Sequence, residues 1–508
     1  MVRLEDLFLG LVSYVRELWR HDARAFNESI RPFLYEPHEV EYIKKLEPFE
    51  EFSRSLESHI IPNVKMFPAF QFRKEDILTG TILDYLYVAA TGNRRDRLRG
   101  VDLMFQEDAV SEALHLLVED SRMDHMPNRV FTWVHNLALQ VPVLEVTESV
   151  RFRRATRYEI RMMKEDPVLD WTLPPDAVPY PKYSALWHAK SIPNLFFVEI
   201  ALDELSDSDI QSKDEDVPVV HDLLQVSAEH IDVGVPLSDE YVQRCRDLVR
   251  DAVLCIRLVT GNLAGASRNF FIVHNKPDLS ISLRPNRPEV VYIPTLPVFL
   301  DGSRSGMEVP HGTFTPDSDE ISHLSETWKA YRELIGQVKK KRFCDDLARA
   351  AVRYNQSFAE PYTEDLVIDL AVSTEILCKS PGDKADYRVA MAVSSRSSLT
   401  ENQRCVVDFF KLRDAAVHGD KLGRKDVITV KRMMTIVRAF IRNSIFVLSK
   451  GTIPSDKHGF RNLLDACVVS CEGREGLTAL IPEWSLEDLA RQPAHNETRK
   501  PSDDESSI

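Results

Sequence analysis

Residues 406–422 read VVDFFKLRDAAVHGDKL, and this stretch decides how the C-terminal half of the chain folds. Its apolar residues form an amphipathic run that ends just before Gly419, and glycine is the residue most often found past the end of a helix. A second, longer amphipathic run follows. We therefore predict one helix over 401–417, a turn at Gly419 and a closing helix over 424–449.

Periodicity predicts further helices upstream, at 239–260, 319–336, 342–356 and 362–379. Ser238 is a candidate N-cap for the first of these. Residues 261–320 are irregular, with the strand-like pieces FFIVH, SISL and VVYIPTLPVFL. In the closing helix an apolar stripe is predicted to be buried, and four basic residues are expected to lie largely off it: Lys431, Arg432, Arg438 and Arg442.

The N-terminal part reads as mainly helical over 1–140, followed by Pro-rich sequence at 167–193, a strand at 192–200 and an acidic loop at 203–216. The predicted fold class is mainly α with a minor β component (α+β). A chain of 508 residues suggests two to three domains. We divide it into an N-terminal region of one or two subdomains (1–235), a helical domain (236–452), an extension (453–485) and a disordered tail (486–508).

Composition excludes several classes of protein. The net charge of −15 argues against a general nucleic-acid coating protein, although a local basic cleft remains compatible with it. The seven scattered cysteines are typical of reduced thiols, and no apolar run approaches the ~20 residues of a membrane span. We therefore expect a cytoplasmic protein without a membrane anchor. The sequence contains no Gly-rich phosphate loop or metal-binding motif, so we expect no cofactor and no metal.

An Arg followed closely by a His is a candidate pair for RNA cleavage, because imidazole transfers protons near neutral pH and guanidinium binds phosphate. The spacing alone has little specificity, since it occurs seven times: Arg16/His21, Arg31/His38, Arg54/His59, Arg129/His135, Arg268/His274, Arg304/His311 and Arg413/His418. Requiring Asn, Asp or His directly after the Arg leaves only the pairs that begin at Arg268 and Arg413.

Secondary structure separates these two pairs. Arg268 and His274 flank a strand-like segment, which would hold them roughly 20 Å apart at ~3.3 Å per residue. Arg413 and His418 fall at a helix end, only ~7.5 Å apart along the axis, where both side chains can reach one ligand. The alternative is a surface feature in which cationic side chains satisfy the last carbonyls of the helix.

Four stretches resemble a known family when they are taken in order: VLCIRLVTGNLAG, LARAAVRYNQSFAEPYTEDLVIDLAVSTEILC, YRVAMAVSS and VVDFFKLRDAAVHGDKL. They are similar to the HEPN superfamily of helical RNases and RNA-binding modules, in its ApeA-like branch from prokaryotic antiviral systems. That family's pattern includes an Arg-Tyr or Arg-Phe stretch and a helix that leads into Arg, a polar residue and then His-Gly. The resemblance covers about residues 240–450, under half of the chain.

The resemblance implies a homodimer in which paired modules place two Arg/His sets in one basic cleft. It assigns catalysis to Arg413 and His418, with Asp414 at the polar position where Asn is commoner. The negative charge of Asp414 calls for a basic neighbour such as Arg413 or Arg388. Glu375 resembles a recurrent acidic position in the preceding helix. The residues expected to contact RNA in the cleft are Lys340, Lys341, Arg342, Arg388 and Glu375.

The implied activity is a metal-independent endoribonuclease that leaves a 2′,3′-cyclic phosphate, with the N-terminal region sensing a phage-derived trigger. A non-catalytic HEPN-type dimerisation or RNA-binding adaptor is the alternative. The densest basic clusters lie in the N-terminal region, where they form either solvated faces or a sensing surface. They are Arg94, Arg95, Arg97 and Arg99, and separately Arg151, Arg153, Arg154, Arg157 and Arg161.

Overall fold

The structure is a computed structural model that describes part of the chain. The described residues are 3–21, 44–60, 74–91, 105–122, 128–135, 137, 139–165, 196–203, 231–232, 238–261, 265–266, 269–273, 282–285, 315–338, 342–358, 363–378, 399–450, 475 and 479–487. Several expectations fall outside these ranges, among them the cluster at 94–99, most of the acidic loop, and the two side chains Arg268 and His274.

The contacts between residues divide the chain into two compact units. The first comprises residues 1–250 and 266–287, and the second comprises residues 251–265 and 288–508. The division at residue 250 falls inside the helix predicted at 239–260, whereas the sequence-based division was placed before that helix. Each unit has buried apolar residues of its own and is described by itself below.

Among its described residues, the first unit contains five helices and the first part of a sixth. Their bounds are α1 Leu4–His21, α2 Glu47–Ile60, α3 Lys74–Thr91, α4 Glu107–Arg122, α5 Arg157–Glu165 and α6 Asp239–Thr260. The α1 helix buries residues at steps of three and four, which places Phe8 against Phe52 with ring centroids 5.4 Å apart. The hydroxyl of Ser238 accepts a hydrogen bond from the N–H of Tyr241 at 3.2 Å, as its predicted capping role requires.

An antiparallel sheet forms the β component. Its strands are β1 Arg129–His135, β2 Val143–Glu145, β3 Val150–Arg154, β4 Phe196–Ala201, β5 Ile231–Asp232, β6 Gly265–Ala266, β7 Asn269–Val273 and β8 Ser282–Pro285. Seven of them follow the order β2-β3-β4-β1-β7-β8-β5. The strands predicted within 192–200 and at FFIVH are confirmed as β4 and β7. The β1 strand lies in a region predicted to be mainly helical, where its alternating β-branched and aromatic residues favour extended structure.

The cluster predicted around Arg151 and Arg153 is neither a solvated face nor a sensing surface. All five residues of β3 are buried, and the Glu199 carboxylate on β4 receives hydrogen bonds from the Nε atoms of Arg151 and Arg153 at 2.9 and 2.8 Å. Glu199 also contacts Arg129 at 2.6 Å. Burial outweighs this attraction and lowers the pKa of Arg129 to about 10. The prediction was wrong because these arginines pair with Glu199, which lies 48 residues after Arg151. A run of arginines in the sequence gives no sign of so distant a partner.

Two more arginines of this cluster, Arg154 and Arg161, are also neutralised inside the unit. Arg154 donates to Asp120 at 2.6 Å, and Tyr85 donates to the same carboxylate at 2.6 Å. Arg161 donates to both oxygens of Asp84 at 3.1 and 2.5 Å. The first of these ion pairs joins α4 to β3, and the second joins α3 to α5.

The second unit is built from helices that bear out the predicted pattern closely. Their bounds are α7 Ser318–Val338, α8 Arg342–Ser357, α9 Thr363–Cys378, α10 Leu399–Val417, α11 Arg424–Ser449 and α12 Glu483–Glu487. The α9 helix packs on α8 and α10, and α10 packs on α11. Ser373 donates to the carbonyl of Ala350 at 2.7 Å, which indicates a close approach of α8 and α9. None of the helices that the structure describes is long and apolar enough to cross a membrane.

Two basic residues of α11 depart from the prediction that they lie off the buried stripe. Arg438 is 8% exposed and Arg442 is fully buried. The Arg442 guanidinium donates to the hydroxyl of Ser485 at 2.6 Å, to the carbonyl of Ser485 at 2.9 Å and to the carbonyl of Leu258 at 2.9 Å. It also lies 4.8 Å from the ring centre of Trp484. The α12 helix and the C-terminal part of α6 therefore supply the partners that allow a guanidinium to be buried here.

Four cysteines have side chains that the structure describes, and all four are buried free thiols: Cys245, Cys255, Cys344 and Cys405. Burial raises the pKa of the Cys405 thiol to about 11. Burial also raises the pKa of the Cys255 thiol, so these two thiols remain protonated at neutral pH, which agrees with the structural role predicted for them.

Candidate active site

The end of α10 forms a glycine-terminated helix cap. The N–H of Asp420 donates to the carbonyl of Ala415 at 2.9 Å, and the N–H of Gly419 donates to the carbonyl of Ala416 at 3.0 Å. This pair of hydrogen bonds defines a Schellman motif, and Gly419 occupies its left-handed position with φ +81°. His418 is thus the C-cap residue, and the predicted capping role of Gly419 is confirmed.

The turn that follows is fixed by contacts on both sides. The N–H of Leu422 donates to the carboxylate of Glu364, on α9, at 3.2 Å, and the Leu422 side chain is buried. The N–H of Gly423 donates to the carboxylate of Asp426 at 2.6 Å, which caps α11. The backbone that carries His418 is therefore held between two helices, a favourable arrangement for a preorganised site.

Arg413 lies one turn before the end of α10 and contacts two carboxylates. Its guanidinium forms an ion pair with Glu375, which projects from α9, and it donates to Asp414 at 2.7 Å. The guanidinium also lies 5.9 Å from the ring centre of Phe410, one helical turn earlier. About a quarter of the Arg413 side chain is exposed.

His418 is exposed at the helix end, and its backbone N–H donates to the carbonyl of Asp414 at 3.1 Å. A solvent-accessible imidazole can exchange protons with a bound substrate. Two large apolar side chains are exposed nearby in the sequence, Val417 at 59% and Ile428 at 71%. The end of α10 therefore carries an exposed imidazole at His418 and an exposed apolar side chain at Val417, with Arg413 one turn earlier.

The structure brings together the predicted residues Arg413, Asp414 and Glu375. Arg413 forms the expected ion pair with Asp414, but it also pairs with Glu375, so one guanidinium is shared between two carboxylates. Arg342 is the first residue of α8, and its side chain lies outside the described residues. The other predicted RNA-binding residues, Lys340, Lys341 and Arg388, also lie outside them.

Two contributors were missed by reasoning from sequence. Glu364 holds the turn from 58 residues away, so no local pattern links it to Leu422. Phe410 was assigned only to the apolar run, although its position three residues before Arg413 places both on one helix face. That spacing is a signal that could have identified the aromatic contact.

Among the described residues, no group of three or more His, Cys, Asp or Glu side chains is arranged to hold a metal ion. No protein-family model matches this chain, and no curated protein or solved structure matches it either. The functional assignment therefore depends on the site itself and on the resemblance of its motifs.

Proposed function

We propose that this protein is a metal-independent RNA endonuclease of HEPN type, with Arg413 and His418 as its catalytic residues. The observation that carries the proposal is the Schellman motif, which fixes His418 at the end of the helix that presents Arg413. An exposed imidazole on a fixed backbone suits proton transfer. A part-exposed guanidinium suits phosphate binding.

The proposed reaction is an internal transesterification of RNA. His418 removes the proton from a ribose 2′-hydroxyl, and the 2′-oxygen attacks the adjacent phosphorus. The bond from phosphorus to the 5′-oxygen breaks, and that oxygen takes up a proton. The products are a 2′,3′-cyclic phosphate and a 5′-hydroxyl. Arg413 stabilises the charge that develops on the phosphoryl oxygens. Because the attacking group is the 2′-hydroxyl, DNA is not a substrate.

We further propose the setting that the family resemblance implies. Two copies of the chain would pair to complete one cleft. The N-terminal region would restrain the nuclease until it senses a phage-derived trigger in the prokaryotic cytoplasm, where RNA cleavage would abort the infection. Val417, directly before His418, and Ile428, on the following helix, expose large apolar side chains that are candidate contacts between the two copies.

A second candidate function is a non-catalytic HEPN-type adaptor that dimerises or binds RNA. The ion pairs of Arg413 with Glu375 and Asp414 favour it, because they occupy the group that would otherwise bind the phosphate. An adaptor would retain its affinity for RNA after loss of His418 and would generate no cyclic phosphate.

The experiment that separates these functions compares His418→Ala with the unmodified full-length chain on single-stranded RNA. A nuclease predicts that cleavage falls by about 10²–10⁴-fold, as is typical when a general acid or base is removed. His115→Ala is the matched control, because the His115 side chain is 71% exposed in the first unit. Equal cleavage by the His418 variant, or products without cyclic phosphate ends, would exclude the proposed reaction.

A further inference from the structure

We infer that Glu375 restrains the site by competing with the RNA phosphate for Arg413. This inference rests on the proposed function and adds a form of regulation to it. The Arg413 guanidinium reaches Glu375 through Nη2 and Asp414 through Nη1. Both terminal nitrogens of the fork that would bind a phosphate are therefore engaged by carboxylates of the protein itself.

The local charge opposes substrate binding in this arrangement. One guanidinium faces two carboxylates, so this group of three side chains carries a formal charge of −1. A phosphodiester is also an anion, and its approach to such a group is unfavourable. RNA binding therefore requires that at least one carboxylate be displaced from Arg413 or be offset by additional positive charge.

Glu375 is the stronger of the two competitors. The Asp414 side chain is 64% exposed, and solvent screens most of its interaction with Arg413. The Glu375 side chain is only 20% exposed and projects from α9, which packs directly on α10. Because a part-buried charge is screened less, the Glu375 carboxylate contributes most of the electrostatic restraint.

The restraint is tested by the RNA affinity of full-length variants that cannot cleave. In a His418→Ala background, Glu375→Gln removes the charge and retains the size of the side chain. We expect it to tighten the Kd for labelled single-stranded RNA roughly tenfold at low salt, since it removes a like charge beside the phosphate site. The gain should shrink as salt is added, because screening weakens this repulsion.

Two further variants in the same background make the test specific. Asp365→Asn removes an exposed negative charge from the first turn of α9 and should leave the Kd within about twofold of the parent. Glu375→Asp keeps the charge and should also bind RNA less tightly than Glu375→Gln. If Glu375→Gln and Asp365→Asn tightened RNA binding equally, the effect would come from the overall charge of the protein. That result would overturn the proposed restraint by Glu375.

The remaining outcomes separate failure of the restraint from failure of the proposed function. If Glu375→Gln binds RNA as the parent does, or more weakly, the restraint is overturned and Glu375 instead positions Arg413. The nuclease proposal survives that result, because cleavage by the unmodified chain is measured independently. If none of the variants binds RNA and the unmodified chain does not cleave it, both proposals fail together.

Discussion

At the scale of single residues, Gly419 determines where α10 ends. Its φ of +81° lies in the left-handed region, which an L-residue with a Cβ adopts at a cost of about 1 kcal/mol. An added Cβ at this position meets nothing within 4 Å. The expected penalty of Gly419→Ala is therefore conformational, and we predict a loss of about 1 kcal/mol in the free energy of unfolding, measured in urea.

Gly336 provides the matched control for this prediction. It lies within α7, and an added Cβ there also meets nothing within 4 Å. Gly336→Ala should stabilise the protein by about 0.5–1 kcal/mol, because alanine has the higher helix propensity. The two substitutions add the same methyl group but should have opposite signs. Stabilisation by both would show that the left-handed conformation of Gly419 is not retained in solution.

The pair of Arg413 and His418 shows which residue contacts a sequence can predict. The helix end was predictable because a glycine follows the apolar run directly, and this signal is local. The proximity of Arg413 to Asp414 was predictable for the same reason. The anchoring of Leu422 by Glu364 was not, since it depends on how α9 packs in three dimensions. The sequence therefore predicts the local geometry of the helix end, but it does not predict the contact between Glu364 and Leu422.

At the scale of secondary-structure elements, buried ion pairs connect the strands β1, β3 and β4 of the first unit. The Glu199 carboxylate is fully buried and contacts Arg129, Arg151 and Arg153. Glu199→Gln would leave these arginines without that countercharge. We predict a loss of about 3–5 kcal/mol in the free energy of unfolding, which is the usual cost of removing one partner from a buried ion pair.

Glu145 is the control for this prediction because it contacts one of the same arginines from the surface. Its carboxylate lies 3.8 Å from Arg151, and its side chain is 60% exposed. Glu145→Gln should change stability by less than about 1 kcal/mol, as is usual for exposed pairs. Similar losses from both substitutions, measured by denaturant unfolding, would contradict the central role of the buried carboxylate.

These elements also explain why helices were predicted better than burial. The bounds of α6 and α11 match their predicted ranges, because amphipathic periodicity extends over many turns in both. The arginines of β3 and Arg442 of α11 were assigned to surfaces, because an arginine is normally exposed. Their burial depends on partners such as Glu199 and Ser485, which are distant in sequence. The periodicity of apolar residues therefore predicts the helices, whereas the burial of an arginine depends on contacts with residues that are distant in sequence.

At the scale of the whole molecule, the balance of charge limits how RNA could be bound. The chain carries a net charge of −15, and several of its arginines are neutralised inside the first unit. These arginines cannot supply the phosphate contacts that dominate nucleic-acid binding. RNA binding must therefore be local, and a second copy of the motif would double the number of cationic groups at one site.

Pairing of two chains predicts a specific effect of Ile428. This side chain is 71% exposed in the first turns of α11, directly after the turn that carries His418. In the proposed pair of chains, Ile428→Glu would replace a candidate apolar contact with a carboxylate, whose desolvation is costly. We expect the dimer dissociation constant to rise at least about tenfold in analytical ultracentrifugation, with RNA cleavage falling in parallel at concentrations where the dimer is lost.

Val141→Glu tests whether the effect is local. Val141 is 46% exposed in the first unit, and the same substitution there should leave both assembly and cleavage unchanged. Restoration of cleavage by the Ile428 variant at high protein concentration would link activity to pairing rather than to damage of the fold. A monomeric unmodified chain that cleaves RNA at full rate would instead show that one Arg413 and one His418 are sufficient.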